Sequence, residues 1–184
     1  NTNDWYGKIA PLEGVLKYSE GLYYFDMMTP FHLVKDNLLY VTYMVDHSVY
    51  VYDINTGKLL VEKDISPEDA GVMVSPIETE IASYENLSGL RRRAASYGPL
   101  YYHEKCNLFS RVYKYSLEQR KGFGNHMEVC IYDEDFNIVG SEIIKTGYID
   151  FIFPTQDGFV AVAKNNTDAD SVKFIRYKIK RQIK

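Results

Sequence analysis

The sequence lacks the features that identify membrane-spanning and nucleic-acid-binding proteins. No apolar run among its 184 residues approaches the roughly 18 residues that a membrane-spanning helix needs. The first residues have neither the basic nor the apolar region of a signal peptide. Lys and Arg number 21 against 25 Asp and Glu, for a net charge of −4, whereas a nucleic-acid partner usually requires a basic surface. We therefore expect no transmembrane segment and no nucleic-acid partner.

Cysteine is scarce as well, since only Cys106 and Cys130 are present. Two cysteines without CxxC spacing are too few for a disulfide framework, and cysteine is often an ordinary core residue. We therefore expect free, buried thiols. His103 precedes Cys106 by three residues, but nucleophilic Cys–His chemistry needs a third group that orients the histidine. No neighbour supplies that group, so the sequence predicts no catalytic residue and disfavours an enzyme.

Metal-ligand patterns are also missing. The four histidines are scattered and do not have the close spacing of zinc ligands. Asp133, Asp135 and Asn137 alternate like the oxygen donors of a calcium loop, but Ile138 stands where that loop needs Gly and Ile144 where it needs Glu. We expect a polar hairpin turn at this segment, with no metal site and no cofactor.

Tyrosine is what the sequence has in abundance, with 17 Tyr beside 9 Phe and 1 Trp. Aromatic rings favour the pleated, half-buried surface of a β-sheet. Short apolar-aromatic runs alternate with Gly, Asn, Asp and Pro, a pattern typical of consecutive antiparallel strands. Most tyrosines lie within these runs, so we expect them to pack inside the sheets. The alternative is a tyrosine-rich surface that binds a ligand.

The clearest group of strands lies at residues 31–65. Four apolar runs are separated there by turns at 35–37, 45–46 and 55–57. The last turn, Asn-Thr-Gly, is a strong hairpin signal because Asn and Gly accept positive φ angles easily. Four strands joined by short turns form an antiparallel meander.

This meander recurs along the chain. The matching tyrosines of the predicted third strands, Tyr52, Tyr132 and Tyr177, are 80 and 45 residues apart. A four-stranded unit every roughly 40–50 residues is typical of propeller blades. We therefore predict an all-β fold with about three four-stranded antiparallel propeller-type blades. A β-sandwich is the alternative, but it predicts cleaner alternation of apolar and polar residues.

The repeat divides the chain into five segments of one structural unit. Residues 31–65 and 97–144 form two blades, 145–184 form an incomplete third, 66–96 are an insertion, and 1–30 are a remnant of another blade or strands that close the last one. Closed propellers have about four to eight blades, and an open arc leaves apolar faces in water. We therefore expect part of a larger propeller, whose partner is its missing half or a second copy of the chain.

Residues 97–113 resemble a known family. The segment Tyr97-Gly98-Pro99-Leu100-Tyr101-Tyr102 and the strand that follows are similar to a pattern in uncharacterised six-bladed propeller-like lipoproteins of Bacteroides-type bacteria, a domain of unknown function. Ser110 departs from that pattern, because the family has an aromatic residue before the position of Arg111. The resemblance covers residues 30–180. It implies the C-terminal half of a lipid-anchored protein about twice as long, in the periplasm or at the outer membrane, with no known activity.

A candidate ligand surface follows from the densest basic run. Arg91-Arg92-Arg93 could bind an anion or an acidic glycan through guanidinium geometry, or it could be a solvated loop beside acidic neighbours. The candidate ligand residues are Arg91, Arg92, Arg93, Tyr97, His103 and Arg111.

Together, the predicted blades and the resemblance favour a non-enzymatic binding or scaffold module of the bacterial cell envelope, with a glycan or peptide ligand. One alternative is a fragment of a glycan-active enzyme with carboxylates on loops at the blade tops. The other is a structural protein that closes its ring by dimerisation.

Overall fold

Antiparallel strands form the architecture of the chain. The computed structural model describes residues 22–23, 30–68, 70–71, 77–78, 89, 94–116, 119, 126–145, 152–162 and 174–180. The strands in these ranges form sheets of four, four and three strands and one two-stranded pair. The all-β fold with antiparallel sheets that the aromatic-rich runs predict is confirmed.

The first sheet is the predicted meander. Its strands pair in sequence order and are β2 (Pro30–Lys35), β3 (Leu38–Tyr43), β4 (Ser48–Asp53) and β5 (Leu59–Asp64). Asp36 and Gly57 take positive φ angles of 55° and 68° in two of its turns. The carboxylate of Asp53 accepts the backbone N–H of Thr56 at 2.7 Å, so the hairpin that the Asn-Thr-Gly sequence predicts is fixed by its own side chains.

The second sheet also pairs its four strands in sequence order. They are β7 (Ser96–His103), β8 (Leu108–Lys114), β9 (His126–Tyr132) and β10 (Ile138–Lys145). The register of β7 with β8 shifts between Tyr97 and Leu100. Gly98 and Pro99 lie in that shift. Proline has no N–H to donate to a neighbouring strand, which explains why pairing is irregular there.

The third sheet has three strands, which are β11 (Ile152–Thr155), β12 (Gly158–Val162) and β13 (Phe174–Lys178). Tyr52, Tyr132 and Tyr177 therefore occupy the third strand of the first, second and third sheets, as their spacing predicts. The remaining pair joins β1 (Leu22–Tyr23) to β6 (Ile77–Glu78). Most of residues 1–30, predicted to be a remnant of another blade or strands that close the last one, lie outside the described residues.

The second sheet lies between the other two. Tyr40 and Val51 of the first sheet pack with Phe109 and Cys130 of the second, while Val129 and Ile144 pack with Phe159 of the third. Alternate residues of β9 thus face opposite neighbours, because successive side chains of a strand point to opposite faces. A separate cluster covers the far face of the first sheet, formed by Val41, Tyr43, Val45, Tyr50 and Tyr52. The central strands β3 and β4 are therefore buried on both faces.

Candidate functional site

Arg111 lies at the junction of the first and second sheets and is 0% exposed. β8 carries it, and its side chain extends to the turn between β3 and β4. Its Nη2 donates to the carbonyl of Tyr43 at 2.6 Å, and its Nη1 donates to the carbonyl of Asp46 at 3.1 Å. Its Nε donates to the carbonyl of Gly98 on β7 at 3.1 Å. One side chain thus holds the β3–β4 turn of the first sheet against the second sheet.

The charge of Arg111 is compensated by dipoles, by an aromatic ring and by a nearby carboxylate. Burying an unpaired charge is costly, and hydrogen-bonded carbonyls offset part of that cost. The ring of Tyr97 adds a cation–π contact, with its centroid 4.2 Å from Cζ. Burial lowers the pKa of Arg111 to about 10, and the negative charge of Asp46 opposes that shift. The guanidinium therefore stays charged at neutral pH.

Asp46 fixes the turn that faces Arg111. Its carboxylate is buried and accepts two hydrogen bonds, from the Tyr50 hydroxyl at 2.6 Å and from the Ser48 backbone N–H at 2.9 Å. Burial, followed by the hydrogen bond to Asp46, raises the pKa of Tyr50 strongly, so Tyr50 remains a donor. With both carboxylate oxygens bound, the turn presents its carbonyls to Arg111 in one arrangement.

Tyr97 and Tyr132 add two further links between the same sheets. The Tyr97 hydroxyl lies 2.6 Å from Nδ1 of His47, and the Tyr97 backbone N–H donates to the carbonyl of Met44 at 2.9 Å. The buried Tyr132 hydroxyl donates to the carbonyl of Ile65, just after β5, at 2.8 Å. These tyrosines supply large apolar rings to the core and use their hydroxyls as polar links. We call the contacts of Arg111, Tyr97 and Tyr132 with the first sheet the first joint.

His103 forms a second joint, between the second and third sheets. It ends β7 and is fully buried. Its Nδ1 lies 2.7 Å from the carbonyl of Thr155 on β11, and its Nε2 lies 2.7 Å from Oγ of Ser110 on β8. Because a carbonyl only accepts, Nδ1 carries the proton, and in the neutral ring Nε2 accepts from the serine hydroxyl. Burial lowers the pKa of His103 below its usual 6.5, which favours this neutral form.

The segment with calcium-like spacing is a turn that binds its own backbone. Oδ1 of Asp133 accepts the N–H groups of Asp135 and Asn137 at 3.0 and 2.8 Å. The ammonium of Lys63 on β5 donates to the carbonyl of Asp135 and to Oδ1 of Asn137. This is the predicted polar hairpin turn, and it also bonds to the first sheet. Across the described ranges, no group of three or more His, Cys, Asp or Glu is placed to hold a metal ion.

Neither Cys106 nor Cys130 is in a disulfide, and of the two only Cys130 is fully buried. Cys130 is buried between the first and second sheets, where burial raises the pKa of its thiol to about 12. Cys106 is half-buried in the turn after β7, and its thiol lies 3.6 Å from the carbonyl of His103.

Comparison with known proteins assigns the chain to a family. The model of a domain of unknown function, DUF4221, matches residues 12–143. The chain belongs to the DUF4221 family. No curated protein matches.

A solved DUF4221 structure agrees with the fold. The crystal structure of a family member from Bacteroides vulgatus superposes with a TM-score of 0.61 at 14% sequence identity. The match covers 84% of this chain and 47% of that chain. The DUF4221 chain described here therefore spans about half the length of this solved relative, and at such identity the likeness concerns the fold alone.

The six ligand candidates predicted for this DUF4221 chain fall into two groups. Arg91, Arg92 and Arg93 lie outside the described residues. Tyr97, His103 and Arg111 are buried at the two joints, so none of these three side chains presents a surface to solvent. The structure assigns them cross-sheet hydrogen bonds, and ligand binding at these positions stays a prediction.

Asp46, His47 and Tyr132 belong to the joints but are not among the residues that the sequence indicates as candidates. Asp46 and His47 occupy a turn that the sequence does predict, but turn residues are usually solvated, and here Asp46 is buried. The sequence does contain a signal for the Asp46–Tyr50 hydrogen bond, because Asp46 lies in a short hairpin turn and Tyr50 follows it by four positions on the next strand.

Among the described residues, no helix is long and apolar enough to cross a membrane.

Proposed function

We propose that this DUF4221 chain is a non-enzymatic scaffold or binding module of the bacterial cell envelope. Its sheets would be blades of a longer, six-bladed propeller-like lipoprotein in the periplasm or at the outer membrane. The observation that carries the scaffold role is the first joint, in which the buried Arg111 binds carbonyls of both sheets.

The chemistry of the joints supports a rigid frame. Arg111 spans two sheets with charge-assisted hydrogen bonds, which are roughly twice as strong as neutral ones. Tyr132 and His103 add hydrogen bonds from the second sheet to the first and to the third. Buried polar contacts of this kind fix one relative arrangement of the sheets. Such a frame can hold loops, or further sheets, at fixed positions for a partner or ligand.

The greater length of the solved relative supports a larger assembly. The solved relative has about twice the length that this chain matches, and the third sheet exposes large apolar side chains, Phe153, Phe174 and Ile175. Exposed apolar patches usually mark contact surfaces. We infer that further sheets cover this end in the assembled protein. The missing half of the propeller would supply them, and a second copy of the chain is the alternative source.

The envelope location can be tested on the natural full-length gene product in its own cells. An epitope-tagged protein, labelled with an alkyne fatty acid and followed through osmotic shock and membrane separation, should carry the lipid label and appear in the envelope fraction. A soluble cytoplasmic protein without lipid would contradict the location.

The non-enzymatic role needs a separate test. The purified protein is applied to an array of bacterial and host glycans and of peptidoglycan peptides. We expect retention of a ligand that mass spectrometry recovers intact. Cleaved or transferred products that depend on the protein would overturn the non-enzymatic assignment and favour the glycan-active alternative.

A further inference from the structure

β13 is an edge strand of the third sheet. The first and second sheets each place a fourth strand beside their third strand, but within the described residues no strand pairs with β13 on the side away from β12. Phe174 and Ile175 at its start are 58% and 44% exposed. An edge strand of this kind presents backbone N–H and C=O groups that can pair with another strand.

The side chains of β13 and the residues that follow it alternate in character. Arg176 and Lys178 lie on one face and are exposed, and the exposed Lys180 follows the strand. Tyr177 lies on the other face, where its ring stacks on that of Phe159 at 4.8 Å between centroids, and Ile175 shares this face because side chains repeat every second residue. One face of β13 therefore begins with the apolar Phe174 and continues with the cations Arg176 and Lys178, and the other face carries Ile175 and Tyr177.

The basic face has more positive than negative charge. Asp157, in the turn between β11 and β12, lies 2.8 Å from Nη2 of Arg176 and 3.7 Å from Nζ of Lys178. Among the described residues it is the one carboxylate recorded within ion-pair distance of these cations. Two cations therefore share one carboxylate, and the exposed Lys180 follows them in the chain, so this face retains a positive charge along the edge.

These features determine the chemistry of a strand that would fit the edge. Residues directly opposite each other on neighbouring strands interact, and opposite charges stabilise the pair while like charges destabilise it. A fourth strand should therefore carry acidic residues opposite Arg176 and Lys178 and apolar residues opposite Ile175 and Tyr177. Backbone hydrogen bonds would provide affinity, and the alternating side chains would provide specificity.

We propose that the open edge of β13 binds an extended segment of another polypeptide in which acidic and apolar residues alternate, as the fourth strand of the third sheet. The proposal deepens the binding role proposed above and rests on it. It identifies the kind of partner, an acidic-apolar strand, and the place where that partner binds.

A competing explanation exists for the same cations. Lysine and arginine on an edge strand often keep that edge unpaired and prevent aggregation. If this is their only role, a strand of opposite charge gains nothing specific from them. The experiment therefore has to compare strands of opposite charge on the same edge.

The test uses synthetic peptides of eight residues as probes, with fluorescence anisotropy on the full 184-residue chain. One peptide alternates Glu and Val, the second alternates Lys and Val, and the third is the Glu peptide with Pro at two central Val positions. We expect the Glu peptide to bind about tenfold more tightly than the Lys peptide, and the Pro peptide not to bind because it cannot complete the backbone pairing.

A charge-reversed variant, Arg176→Glu with Lys178→Glu, provides the matched control. Both side chains are exposed, so circular dichroism should be unchanged while the preference reverses to the Lys peptide. The proposal would be overturned by equal binding of both peptides, by binding that survives the proline substitutions, or by no binding of any peptide. Self-association of the chain that competes with the Glu peptide would also overturn it, in favour of a second copy. Turnover of a glycan or a cytoplasmic location would instead refute the proposed function without changing these peptide affinities.

Discussion

The two joints on either side of the second sheet differ in chemistry and in the packing that surrounds them. The first joint contains a guanidinium that is charged at neutral pH, two tyrosine hydroxyls, the imidazole of His47 and a cluster of nine buried residues. The second joint rests on one imidazole and a cluster of four buried residues. The third sheet also exposes most of β13, whereas β3 and β4 of the first sheet are buried on both faces.

This difference indicates how stability is distributed. Regions with few buried apolar contacts open at lower free energy than the core. The first and second sheets should therefore behave as one cooperative unit, and the third sheet should open separately. Because burial favours the neutral form of His103, the second joint should weaken at mildly acidic pH, while Arg111 of the first joint keeps its charge.

Breaking the first joint should have the largest effect. Arg111→Met keeps much of the side-chain volume but leaves carbonyls of Tyr43, Asp46 and Gly98 without their buried donor. Loss of a buried, hydrogen-bonded charge should lower the free energy of unfolding by about 3–5 kcal/mol, as measured by urea denaturation. Arg176→Met, which removes an exposed guanidinium from β13, is the control and should change the free energy of unfolding by no more than about 0.5 kcal/mol. Similar values for both variants would contradict the role of Arg111.

Disturbing the third sheet should have a smaller and more local effect. A Cβ at Gly158 would lie 2.1 Å from the carbonyl oxygen of Tyr177, and Gly158 has a φ of 156°, so Gly158→Ala must push β12 away from β13. We expect a loss of about 1–3 kcal/mol, with faster amide exchange in β12 and β13 and little change in the first sheet.

Gly140→Ala on β10 is the matched control, since a Cβ there meets nothing within 4 Å. It should leave both stability and exchange close to those of the natural sequence. If Gly158→Ala accelerates exchange equally in all three sheets, the third sheet does not open separately.

The smallest expected effect concerns the pH dependence of the free energy of unfolding, to which His103 of the second joint should contribute. Since burial lowers the pKa of His103 below 6.5, the unfolded chain takes up a proton at a higher pH than the folded chain. Stability from this group is therefore complete above pH 6.5 and is lost as the pH falls from there through the lowered pKa. His103→Gln can still donate to Thr155 but does not titrate, so the part of the pH dependence due to this group should disappear in urea denaturation between pH 7 and pH 5.

His32→Gln is the control for that measurement, because His32 is exposed on β2. The variant should keep the pH dependence of the natural sequence. A pH dependence that is unchanged in His103→Gln would show that the second joint does not depend on the neutral imidazole.

Local chemistry explains which parts of the fold were predictable. The Asn-Thr-Gly turn depends on neighbours within three residues, and Gly57 takes the positive φ angle that its position predicts. Tyr52, Tyr132 and Tyr177 mark third strands because the same strand position recurs in each sheet.

The hydrogen bonds of the joints could not be predicted, because the partner atoms are distant in sequence and are mostly backbone carbonyls. Arg111 binds the carbonyl of Tyr43 across 68 residues, and His103 binds that of Thr155 across 52. A carbonyl is present in every residue, so it leaves no sequence signature. The sequence did single out Tyr97, His103 and Arg111, but as ligand candidates, since a polar side chain inside a strand can equally face solvent or a neighbouring sheet.

Native-state hydrogen exchange of the 184-residue chain tests the central claim most directly. Amides of β3, β4, β8 and β9 should exchange together, at the free energy of global unfolding, because the first joint unites their sheets. Amides of β12 should exchange through a separate opening of lower free energy, and the gap should widen as the pH falls below 6.5. Exchange of all five strands at one common free energy and with one common pH dependence would contradict the account.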